Sequence, residues 1–178
     1  MTVSRTWMSG RLVGAGVIGA AVVGAGLLVP GSALAATTCA APPGGPAEVT
    51  RVDGPAACGA TTDGTGGAWS LGESGVGFAE AGAGATVGAA GFAGGVGAGE
   101  SRGGRLLAVG YGVESLALGL LDEPGTALVV TGPRSQAFVG DADDPVLCEG
   151  ELAATINFAT GSGCVVAGAF RYVTPTAP

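Results

Sequence analysis

"GVGFAEAGAGATVGAAGFAGGVGAGE", residues 75–100, decides which folds this chain can adopt. Short apolar stretches of small and β-branched residues give way to a glycine-rich turn every nine or ten residues. The segments on either side keep the beat: "GGAWSLGES" (66–74), "GGRLLAVGYG" (103–112), "VESLALGLLDEP" (113–124), "GTALVVTGPR" (125–134) and "SQAFVGDADDP" (135–145). A fixed short period signals stacked supersecondary units. Alternation in "LLAVGYGVESLALGL" (106–120) and "TALVV" (126–130) favours strand over helix.

Glycine then selects among all-strand architectures. Residues 66–140 hold 21 glycines. In strand or helix interiors each would cost roughly 0.5–1 kcal/mol relative to alanine. Together that is on the order of 10–20 kcal/mol, comparable to a whole domain's net stability of about 5–15 kcal/mol. A folded chain must therefore place most glycines at corners of positive φ, or where backbones approach closely. A parallel β-solenoid does both, since corners recur every few residues and a narrow tube admits only Gly, Ala, Ser and Val. The competing reading is disorder, with Gly and Pro making up 47 of 178 residues. A mean hydropathy of +0.52, 12% charged residues and four cysteines argue against it. The predicted fold is all-β: an irregular Gly/Ala-rich parallel β-solenoid, or β-roll, over 64–140.

The flanks read differently. Residues 36–63 are turn-rich, with "APPGGP" and "DGP" around a short extended candidate at 47–52, and form a cysteine-closed collar. Beyond Asp141, "ELAATINFA" (151–159) sets Leu152, Ala154, Ile156 and Phe158 on one face, with Thr155 and Asn157 on the other. "TGSG" and the strand-like "CVVAGAFRYV" (164–173) follow, which predicts a β-hairpin capping the tube over 141–178.

At the start, "GAGVIG" (14–19) has the spacing of a dinucleotide-binding turn, but the next acid is Glu48, too distant for that motif. It lies in an uncharged run, Leu12 to Val29, preceded by Arg5 and Arg11 and followed by Pro30-Gly31 and Ala33-Leu34-Ala35. A positive start, apolar middle and small-x-small end predict a secretory signal over 1–35, cleaved after Ala35. The alternative is an uncleaved anchor, which the glycines and the Pro30-Gly31 break disfavour. No twin arginine, lipoprotein box or sortase motif is present. Export would leave five arginines against 14 acids, a net charge of −9. So acidic a surface repels nucleic acid and anionic membranes, and no stable membrane insertion is expected after cleavage.

Four cysteines, Cys39, Cys58, Cys148 and Cys164, all fall in the exported part, and no C-x-x-C pair exists. An even count outside the cytoplasm favours two disulfides over a zinc site. Three connectivities are open, of which local closure, Cys39–Cys58 and Cys148–Cys164, is the simplest.

The chain has no histidine and no lysine. That removes the usual general base, the Schiff-base and P-loop lysines and the commonest metal ligand. Ser70, Ser74, Ser101, Ser115, Ser135 and Ser162 therefore lack an activating base, and no G-x-S-x-G elbow occurs. Glu73 with Glu80, or Glu149 with Glu151, would be a glycosidase pair only on an aromatic platform, and reads as surface acid. "GDADDP" (140–145) clusters Asp141, Asp143 and Asp144, which are oxygen donors suited to calcium. EF-hand spacing and a repeated aspartate are missing, so a solvated turn is the plainer reading. Trp69, Phe78, Phe92, Tyr111 and Phe138 recur through the repeats. They are expected inside, filling irregular widths of the core; outward, they would form a sticky stripe for a partner or glycan.

"ALAATTC" (33–39), "ACGATTDGTGGAWS" (57–70) and "CEGELAATINFATGSGC" (148–164) resemble a family of uncharacterised secreted Gly/Ala-rich actinobacterial proteins. The resemblance implies an exported location and no particular activity. The repeats are also similar to trimeric autotransporter adhesin heads, though their period is irregular and no stalk or membrane anchor follows. The expected function is a secreted, non-enzymatic, cofactor-free component of the cell envelope or exterior, structural or adhesive, with possible self-association. The alternative is a secreted binder of a small ligand or cation through the acidic turns.

Overall fold

The computed structural model describes residues 35–144 and 146–174, and the predicted signal segment lies outside them. All regular structure in the described residues is strand. The first three strands are β1 (Ala36–Ala41), β2 (Ala47–Asp53) and β3 (Ala56–Thr62). The repeat region supplies β4 (Gly67–Glu73), β5 (Val76–Ala81), β6 (Thr86–Phe92), β7 (Val96–Ser101), β8 (Arg105–Tyr111), β9 (Leu116–Leu121), β10 (Thr126–Thr131) and β11 (Gln136–Val139). Last come β12 (Leu147–Glu149), β13 (Leu152–Asn157), β14 (Gly163–Ala167) and β15 (Phe170–Val173).

From β3 to β11 the chain alternates between two sheets, and within each sheet these strands pair in parallel. The register climbs Ala57, Val76, Val96, Leu116, Gln136 on one side and Gly67, Thr86, Arg105, Thr126 on the other. One coil thus takes 19 to 21 residues, and each nine-or-ten-residue step of the sequence is half a coil, one strand with its corner. The result is a flattened parallel β-solenoid of about four turns. Its ends are closed by antiparallel strands: β1 on β4 and β2 on β3 at one end, β12 on β11 and β13 on β10 at the other. The hairpin β13–β14 is joined by β15, because Gly168, at φ 58°, turns the chain within "CVVAGAFRYV".

The tube is thin. Facing sheets normally pack about 10 Å apart. Here Cys39 of β1 and Cys58 of β3, on opposite sheets, are disulfide-bonded with Cα atoms 5.7 Å apart. Cys148 of β12 and Cys164 of β14 do the same at the other end, at 5.9 Å. Each disulfide staples sheet to sheet. Between them the inward rows hold mostly Ala, Gly and Ser: Ser70, Ala89 and Ala108 on one side, Ala60 and Ala79 on the other, all fully buried. Where a large residue points in, the facing wall is bare, as with Leu106 against Gly99 and Gly119.

Of the 21 glycines in residues 66–140, twelve lie at the corners between strands and nine within strands, where several serve this close approach. A Cβ on Gly97 would lie 2.6 Å from the Ala108 carbonyl oxygen of the opposite sheet. Between residues 66 and 140 only Gly84, Gly94 and Gly112 have positive φ, while Ser74, Ala83, Ala93, Glu114 and Arg134 take the left-handed corner positions themselves. Polar clamps tie successive coils together at the corners. Asp63 accepts hydrogen bonds from Thr65 N (2.8 Å) and Thr65 Oγ1 (2.7 Å), and from Ala83 N (2.7 Å) one coil away.

The narrow bore overturns the expectation that the aromatics lie inside. Trp69, Phe78 and Tyr111 are 46%, 41% and 55% exposed, and Phe92 and Phe138 sit on the same outward parity. A ring cannot enter a space in which two backbones nearly touch. In β13 the polar parity is the buried one: Thr155 and Asn157 are buried while Leu152, Ile156 and, just beyond the strand, Phe158 face out. Asn157 is satisfied there, donating from Nδ2 to the Gly140 carbonyl (2.9 Å) and accepting from Ala159 N (2.9 Å).

Candidate interaction surface

With small residues inside, the large apolar side chains collect on the outer faces, and the parallel register aligns them into rows. On the eight-stranded sheet one row runs Trp69, Gly88, Leu107, Leu128, Ile156. The next runs Leu71, Ala90, Val109, Val130, Ala154, Val165, Tyr172. Neither row contains a charge. Phe158 (61% exposed) and Phe170 (59%) extend this surface at its C-terminal side. The outer face of the seven-stranded sheet is also apolar at Phe78, Ala98, Leu118 and Phe138, but it is bordered by a row that includes Glu48, Glu80 and Glu100.

Glu73 lies on the outer face of the eight-stranded sheet beyond Leu71, and over the first of that face's two rows a groove of about 310 Å³ opens at Gly88, Leu107 and Leu128, between Trp69 and Phe158. Gly88 creates it. A Cβ at that position would lie 2.6 Å from Trp69 Cε2 and 2.9 Å from Nε1, so the indole occupies the space left by the missing side chain on the neighbouring strand. The indole remains 46% exposed. Above this row runs a polar one, Thr86, Arg105, Thr126, in register across β6, β8 and β10. The ion pairs among the described residues join Arg102 to Glu100 and Asp122, and Arg134 to Glu151; Arg105 takes part in none of them.

The residues singled out for chemistry are placed as follows. Asp141 turns back on the preceding corner and accepts from Asp122 N (2.7 Å) and Glu123 N (3.4 Å), so both its oxygens serve the backbone. Asp143 and Asp144 are exposed beside it, and among the described residues no group of three His, Cys, Asp or Glu side chains converges as a metal site. Glu73 and Glu80 stand on different sheets, and Glu151 is engaged by Arg134. Ser70, Ser101, Ser115 and Ser135 point into the tube, where Ser70 Oγ donates to the Gly59 carbonyl (2.8 Å) and Ser135 Oγ accepts from Glu151 N and Leu152 N (both 2.9 Å). Asp63, which the sequence did not mark, carries the largest electrostatic perturbation. Its hydrogen bonds from Ala83 N and then Thr65 hold the carboxyl well below the usual carboxylate range.

The outward stripe, the alternative that the aromatics offer, has a further signal in the sequence. In "LLAVGY" and "ALVV" both parities are apolar, and apart from Leu106 and Val129 they differ in size: Ala108, Gly110 and Ala127 alternate with Val109, Tyr111 and Leu128. Small on one parity and large on the other means a tight inside and an apolar outside.

Residues 4–167 match a family of unknown function, DUF6764. The chain belongs to it. No curated protein and no solved structure matches the chain. This DUF6764 member is therefore interpreted from its own surface.

Proposed function

We propose that this DUF6764 protein is exported and acts, without catalysing a reaction, as a structural or adhesive component of the cell envelope or exterior, holding its partner on the outer face of the eight-stranded sheet. The supporting observation is the size and composition of that face. Eight strands about 4.8 Å apart and six residues long, at about 3.3 Å each, cover on the order of 650 Å². The two uncharged rows make up the larger part of it, within the range of about 300–600 Å² for the largest and often functional apolar patch of a monomer, and the whole face approaches the roughly 800 Å² per side of a standard interface. Two sheet-to-sheet disulfides and the leader-like first 35 residues support an oxidising compartment. The absence of histidine and lysine supports a non-catalytic role.

Co-sedimentation with purified envelope fractions of the producing cell, using the oxidised protein, tests this reading. Wild type is expected in the pellet. A Val130→Lys, Ile156→Lys variant that melts like wild type is expected in the supernatant. Equal sedimentation of the two, or recovery of the natural protein from the cytoplasm with free thiols, would overturn the proposal.

A further inference from the structure

We infer that the groove between Trp69 and Phe158 binds a small monoanion with a flat apolar body, that is, a hydrophobic carboxylate or sulfonate. The inference rests on the contact role proposed for this face and names a ligand for one part of it. Three observations carry it. First, the groove's volume of about 310 Å³ is at the lower end of small-ligand sites and its floor is apolar. Second, the Trp69 indole packs into the space over Gly88, lines the groove and is 46% exposed, so an aromatic surface stands in place before any ligand arrives. Third, Arg105 lines the groove from the row beside this floor and takes part in none of the ion pairs among the described residues, in a chain whose net charge is −7. A guanidinium beside an apolar floor complements a ligand of opposite sign with an apolar body. Thr86 and Thr126 flank it one strand away on each side, and their hydroxyls can donate to the same anionic group. The low charge of the floor disfavours multiply charged or strongly hydrated ligands, which would lose water without replacement.

Trp69 also reports on the site. The chain has two tryptophans, so Trp7→Phe leaves Trp69 as its sole indole. We would titrate the oxidised full-length Trp7→Phe protein with 1-anilinonaphthalene-8-sulfonate and with its uncharged relative N-phenyl-1-naphthylamine, following quenching of Trp69 emission. The expected result is saturation at one probe per chain, with the anion bound about tenfold more tightly than the neutral probe. Arg105→Gln should remove that preference, Arg105→Lys should keep part of it, and Phe78→Ser on the opposite face should change nothing. Thermal melts of each variant establish that the fold is retained. Equal affinity for the two probes, a preference that survives in Arg105→Gln, or loss of binding in Phe78→Ser would overturn the assignment. Because Arg105→Gln leaves Val130 and Ile156 intact, its effect on probe binding is distinguishable from failure of the face to hold an envelope partner.

Discussion

Replacing Gly97 with alanine tests the thin tube directly. The added Cβ would meet the carbonyl oxygens of Ala90 and Ala108, the latter at 2.6 Å, and both belong to strands of the opposite sheet. Neither oxygen is the mobile end of a side chain, so relief requires the sheets to separate or the strands to shift. Overpacking of this kind costs about 1–3 kcal/mol, and two fixed backbone contacts put this site near the upper end. Alanine also restricts the unfolded chain, which returns about 0.4–1 kcal/mol. The net expectation is a loss of about 2 kcal/mol, or roughly 4–8 °C in melting temperature for a domain of this size. Gly45→Ala is the matched control: its φ is not in the left-handed region and nothing lies within 4 Å of its Cβ, so it should melt at or slightly above wild type. Circular-dichroism melts of the oxidised proteins at matched concentration measure both. If Gly97→Ala melts at or above wild type while Gly45→Ala behaves as expected, the sheets are not in backbone contact and the account of the glycines is wrong.

Ala93→Gly should stabilise the fold by about 0.5–1 kcal/mol. Ala93 sits at φ 49°, a region costing an L-residue roughly 1–2 kcal/mol, and glycine's extra unfolded freedom offsets only part of that gain; urea titration would show a higher midpoint at unchanged slope. Asp63 has a folded pKa lowered by its backbone partners, so its contribution is fully present above the unfolded carboxylate value near 4 and is lost as pH falls below it. Melts between pH 2 and 6 should show less acid destabilisation in Asp63→Asn than in wild type, together with a lower melting temperature at pH 6. Replacing Cys148 and Cys164 by serine together should cost about 3 kcal/mol and lower the melting temperature by roughly 6–12 °C, because the bridge joins the two sheets where no further coil holds them. A double-serine variant melting within a degree or two of wild type would refute that role.

Period, composition and cysteine count are local properties, and they were legible at once. The nine-or-ten-residue step, the strand parity of "ELAATINFA" and the excess of glycine pointed to a β-solenoid, and closure of the nearest cysteines was the simplest pairing. Parity, however, says only that two sets of side chains face opposite ways. Which set is buried depends on how far apart the sheets stand, and that distance arises only when residues 20 apart stack and opposing glycines let two backbones meet. So Thr155 and Asn157 went in, Trp69 and Phe158 came out, and Arg105 came to rest beside a groove that exists because residue 88, on another strand, has no side chain.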